Sequence, residues 1–193
     1  MSSPRLLLTL AVLAAVMGAA CGDPPTKEIQ QAQTAIDAAR AGGADQYAKD
    51  EFTAAQDALT HATEAVAQRD YRQALNNALD ARERAQTAAR EAVDRKAAAR
   101  TAAEHALADA TTALDQARAQ LKAAEAARAP ARPVAVARRT IADADTAVQK
   151  ARTAFGRGEF LAVTDGSHVA TARLHGATHD LEAATPPPPR RRH

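Results

Sequence analysis

Residues 70–129 read DYRQALNNALDARERAQTAAREAVDRKAAARTAAEHALADATTALDQARAQLKAAEAARA, without a glycine or a proline. Alanine, leucine, glutamine, arginine and glutamate dominate, all strong helix formers. As one helix the stretch would be roughly 90 Å long at 1.5 Å per residue. A helix of that length needs neighbours along its sides, and the flanking sequence must supply them.

The apolar pattern changes along the stretch. Leu75 and Leu79, with Ala74 and Ala78, serve its first part. Asp94 to Arg100 (DRKAAAR) is charged and lacks large apolar residues. Beyond it Leu107, Leu114 and Leu121 recur every seven positions, and Ala103, Ala110, Ala117 and Ala124 hold the alternate heptad position. Leucine and alanine at the two seam positions suit a tight antiparallel coiled coil.

Outward on the N-terminal side, a first helix is expected from about Lys27 to Ala41. Ile29, Ala32, Ile36 and Ala39 fall on one face, and Gly42-Gly43 follows as a stop. Asp45 can cap a second helix reaching about Gln68, with Phe52, Ala55, Leu59, Ala62 and Val66 as its apolar set. A turn falls at Arg69-Asp70, where Asp70 and Gln73 form a capping box. On the C-terminal side Pro130 and Pro133 break the chain. A helix with Ile141, Val148 and Phe155 is expected from about Val134 to Phe155, then a Gly156-Arg157-Gly158 turn. The last helix, about Glu159 to Ala184, contains Gly166 and Gly176 and should be the least stable. Residues 185–193, with Pro186 to Pro189 and Arg190 to Arg192, read as an unfolded tail.

An offset of 89 positions, that from Tyr71 to Phe160, also relates Asp70 to Glu159, Phe52 to Ile141, Leu59 to Val148, Ala62 to Ala151 and Ala74 to Val163. The expected fold is therefore all-α, an elongated antiparallel helical bundle or coiled coil. Its two three-helix units, 27–95 and 96–184, would share the long helix, as in the spectrin-repeat layout. The rival is one uninterrupted helix from about Asp45 to Ala129. The glycine break before Glu159-Phe160 argues, through the repeat, for a break before Asp70-Tyr71.

Aromatic residues make up 3% of the 193 positions and tryptophan is absent, so the core must be thin and alanine-rich. One cysteine, Cys21, excludes an internal disulfide and a multi-cysteine metal site. A net charge of +2, with no basic face interleaved with aromatics, gives no nucleic-acid footprint. Arg5 and the apolar run Leu6 to Val16 lay out a secretory signal peptide over residues 1–20. The run is too short for a comfortable membrane span of about 20 residues.

Gly18-Ala19-Ala20-Cys21 resembles the bacterial lipobox, although Gly18 stands where leucine is commonest. The resemblance implies cleavage before Cys21, lipid on its thiol, and anchoring through residues 21–26 to a membrane. The competing reading is ordinary cleavage after Ala20 that leaves a bare thiol. Gly22 rather than aspartate implies, by resemblance to Gram-negative lipoproteins, the outer membrane facing the periplasm. The stretch AGGADQYAKDEFTAAQDALTHATEAVAQRDYRQALNNALDARERA (Ala41 to Ala85) resembles an uncharacterised family of alanine-rich bacterial envelope lipoproteins. Tyr47, Ala55, Leu59, Ala62, Asp70, Tyr71, Ala74 and Ala78 carry the match. Some members precede a peptidoglycan-binding OmpA-type domain, for which this chain has no room. The family has no established activity.

Three histidines, His168, His175 and His179, fall within about 40° of one another on a helix, and the last two at i and i+4 could chelate zinc, nickel or copper. Against this, Phe160, Val163, Leu174 and Leu181 define a core face well away from them, so the stripe reads first as a solvated face. Tyr71 and Phe160 read as residues stapling helix starts to their neighbours rather than as a ligand-stacking platform. Asp80 with Arg84 and Glu91 with Arg95 read as i,i+4 surface pairs. No nucleophile–base set, phosphate loop or carboxylate dyad stands out, so no enzyme and no cofactor is expected. The functional expectation is an anchored envelope scaffold or adaptor, binding an envelope protein or cell-wall polymer through its helix faces. A metal-binding or sensing module built on the histidine stripe is the alternative.

Overall fold

The computed structural model describes residues 23–185, which form six helices and no strand. They are α1 (Thr26–Ala41), α2 (Ala44–Tyr47), α3 (Lys49–Ala67), α4 (Tyr71–Ala126), α5 (Ala131–Gly156) and α6 (Phe160–Ala184). The chain divides between Arg95 and Lys96 into two compact units. The helix α4 crosses that division, and residues 93–98 around it are all exposed, as expected of a stretch with little to bury.

The uninterrupted helix from Asp45 is not formed. The chain breaks twice before α4, and the second break falls at Arg69-Asp70. There Arg69 takes φ 61°. Its N–H donates to the Val66 carbonyl at 2.9 Å, and the Asp70 N–H donates to that of Ala65 at 2.9 Å. This is the Schellman arrangement, which occupies the last carbonyls of a helix. Asp70 Oδ1 then accepts from the Gln73 N–H at 3.0 Å and caps α4. Arg128 (φ 57°) and Gly158 (φ 79°) end α4 and α5 with the same pair of bonds. Gly158 is the counterpart of Arg69 at the 89-residue offset. A left-handed conformation is unfavourable for a residue with a Cβ. Arg69→Gly is therefore expected to raise the stability of the first unit by about 0.5–1 kcal/mol, read from the urea midpoint. A lower midpoint would contradict it.

The first break overturns the expectation for Asp45. It lies in the first turn of the single-turn helix α2, not at the cap of a long one. Ala48 (φ −136°, ψ 47°) interrupts the backbone, and α3 restarts at Lys49. The break frees the Tyr47 carbonyl, which accepts from Arg95 Nη1 at 3.2 Å.

In the first unit α1, α3 and the start of α4 run up, down and up. Ala32, Ala58 and Ala81 meet at its centre, with Leu59 packed against them. The α4 seam is Ala74, Ala78, Ala81, Ala85, Ala88 and Ala92, all fully buried at alternating spacings of four and three. Leu75 and Leu79, expected in that seam, are 36% and 40% exposed. Neighbouring residues on a helix point about 100° apart, so the alanine stripe and the leucine stripe cannot both face inward. Alanines let the helices approach closely, while Ile36 and Phe52 supply bulk from the other two helices.

In the second unit the rest of α4, α5 and α6 repeat this course. Ala103, Ala151 and Val163 pack at one end. Leu114, Ile141, Val148 and Leu174 form the middle, and Ala124, Ala137 and Leu181 the other end. The 89-residue offset carries buried Ala74, Ala78, Ala81, Ala85 and Ala92 onto buried Val163, Ser167, Ala170, Leu174 and Leu181. It likewise carries Ala48, Phe52, Ala55 and Ala62 onto Ala137, Ile141, Ala144 and Ala151. Ser167 is buried in the position matching Ala78, and among the described residues its hydroxyl has no hydrogen-bond partner.

Candidate functional site

Cys21 lies outside the described residues, as do Arg190 to Arg192. The three histidines are exposed along α6. His179 Nδ1 is 3.8 Å from Asp180 Oδ1, and both side chains are more than three-quarters exposed. Among the described residues no group of three or more His, Cys, Asp or Glu side chains is arranged to hold a metal ion. Phe160 belongs to the core: its ring lies 5.3 Å from that of Phe155, over the cluster of Ala103, Ala151 and Val163. Tyr71 is half-buried at the start of α4.

The expected surface pairs are formed, Arg84 with Asp80 at 3.0 Å and Arg95 with Glu91 at 2.8 Å. The structure adds pairs between helices. Arg84 also reaches Glu51 of α3 at 3.5 Å, Arg118 reaches Asp145 at 3.0 Å, and Arg138 reaches Glu125 at 2.7 Å. The hydrogen bond from Arg84 to Asp80, and then that carboxylate's charge, pushes the guanidinium above its ordinary value. Such exposed pairs contribute little stability singly, but they occupy the surface between helices.

The surface between α5 and α6 is different. It opens into a groove of about 820 Å3, walled by Arg132, Pro133, Val136, Thr140 and Asp143 from α5 and by Arg173, Gly176, Ala177, Asp180 and Ala184 from α6. A second stretch of about 570 Å3, with Ala147, Lys150 and Ala154 opposite Ala162 and Gly166, lies along the same two helices. Pro133, Val136, Thr140, Asp143, Ala147, Lys150 and Ala154 recur at spacings of three and four. So do Ala162, Gly166, Val169, Arg173, Gly176, Asp180 and Ala183. Each helix thus carries a second heptad face besides the one turned to the core. Val136 and Val169 on these faces are 58% and 52% exposed. The walls combine small apolar residues with charges of both signs, a lining suited to a helix laid lengthwise.

Among the described residues no helix is long and apolar enough to cross a membrane. No curated protein and no solved structure matches the chain. A domain of unknown function (DUF4398) is found over residues 27–106, a span that takes in most of the first unit and the start of the second.

Proposed function

We propose that the protein is a membrane-anchored bacterial envelope lipoprotein whose helical ectodomain acts as a scaffold or adaptor. The observation that carries this reading is the place of Cys21. The chain's single cysteine stands directly after Gly18-Ala19-Ala20 and behind the apolar run Leu6 to Val16. A lipidated cysteine with two or more acyl chains would hold the ectodomain stably at a membrane. Among the described residues the ectodomain offers helix faces and the α5–α6 groove. That supports binding through surfaces, to an envelope protein or a cell-wall polymer.

The test is metabolic labelling of bacteria expressing the full chain with a fatty-acid analogue. The wild type should take up label and sediment with membranes. Cys21→Ala should lose essentially all label and its stable membrane attachment, because no acyl chain remains to partition. Equal labelling of the two proteins would overturn the reading.

A further inference from the structure

We propose that the α5–α6 groove receives a second copy of this chain, α6 packing antiparallel on α6 about a two-fold axis beside Gly176 and Ala177. The inference goes beyond the envelope reading and does not depend on it.

The first observation concerns the two glycines of α6. Gly166 and Gly176 lie inside a helix, where glycine is about 1 kcal/mol less favourable than alanine. A Cβ added at either would meet nothing within 4 Å. No neighbour within the chain therefore requires the missing side chain. A helix backbone approaching from outside would.

The second observation comes from the repeat. In the first unit Arg84 spans the surface between α3 and α4, bonded to Asp80 at 3.0 Å and to Glu51 at 3.5 Å. The 89-residue offset turns Arg84 into Arg173, but Asp80 into Val169 and Glu51 into Thr140. Arg173 is exposed on the groove without the two carboxylates that hold its counterpart.

The third observation is self-complementarity. Arg173 and Asp180 stand seven residues apart on one stripe, about 10.5 Å along the helix. In an antiparallel pair that sets Gly176 against the partner's Ala177, Arg173 meets the partner's Asp180, and the symmetry forms that contact twice. Val169 then covers the partner's Ala184. Glycine and alanine at the crossing allow the axes to approach to about 8 Å, the close end of helix packing. A parallel pairing would set Arg173 against the partner's Arg173. An acidic helix from another protein would satisfy Arg173 and leave Asp180 opposed by like charge.

The test is sedimentation velocity of the full chain in detergent over a concentration series. The expected protein mass is twice that of the single purified chain. Arg173→Asp and Asp180→Arg should each weaken the dimer at least about tenfold, because each sets like charges face to face. The double exchange should recover it. Gly176→Leu should also weaken the dimer about tenfold without lowering the melting temperature of the dissociated chain, since a Cβ there meets nothing within 4 Å and leucine is the better helix former. Two chains sharing a micelle by chance would not respond to these substitutions. A chain that stays monomeric to about 100 micromolar, a dimer indifferent to the substitutions, or a double exchange that fails to recover it would each overturn the proposal.

Discussion

Leu174→Asp is expected to unfold the second unit while leaving the first intact. Leu174 is fully buried in a cluster with Leu114, Ile141 and Val148, and Leu107 and Leu121 pack against that cluster. Truncating such a leucine to alanine costs about 2–5 kcal/mol. An aspartate adds a charge buried within a cluster of aliphatic side chains. Domains of this size hold roughly 5–15 kcal/mol in total, and an alanine-rich core belongs at the lower end. The loss therefore approaches or exceeds what holds the unit together. Hydrogen exchange on the full chain, resolved by peptide, is the measurement. Amides of α5 and α6 should lose protection, whereas those of α1 and α3, packed around Ala32, Ala58 and Ala81, should keep it. Unchanged protection in α6 would show that the residue does not carry the core.

The second unit was the easier to read because its seam residues differ chemically from their neighbours. Leu107, Leu114 and Leu121 mark α4 and Ile141 and Val148 mark α5, and the structure packs all five into the core or against it. In the first unit that contrast is missing. Alanine is at once the strongest helix former and the seam residue, so buried Ala74 and Ala78 look no different from exposed Ala97 and Ala98. The leucines beside them then attract the assignment by hydrophobicity alone. The turn at Arg69 carries no local glycine signal, because an arginine holds the left-handed position. The capping box of Asp70 and Gln73, together with the repeat, marks it instead. The break at Ala48 carries no sequence signal, since its freed carbonyl is satisfied by Arg95, 48 residues away. For the site, the role proposed for Cys21 rests on local sequence alone, the Gly18-Ala19-Ala20 directly before it. The α5–α6 groove is not legible there, because Asp143 and Arg173 come to line one groove only through helix pairing. Gly166 and Gly176 could be recognised as weak points of a helix, but not as an open face.

Ala81→Leu is expected to destabilise the first unit more than Leu79→Gln, the reverse of what side-chain hydrophobicity predicts. Ala81 has no exposed surface and meets Ala32 and Ala58, one alanine from each of three helices. A leucine there adds three carbon atoms to a layer in which the helices are held together by Cβ contacts. It must push α1 or α3 outward or adopt a strained rotamer, at a cost of about 1–3 kcal/mol. Leu79 is 40% exposed, so glutamine forfeits only part of a leucine's burial, about 1 kcal/mol or less. Alanine, leucine and glutamine have similar helix propensities, so α4 itself should be unaffected by either change. Urea unfolding followed by hydrogen exchange in α1 and α3 reads the effect where it occurs. The midpoint for these helices should fall clearly in Ala81→Leu and only slightly in Leu79→Gln. If Leu79→Gln were the more damaging, the leucine stripe and not the alanine stripe would be facing the core.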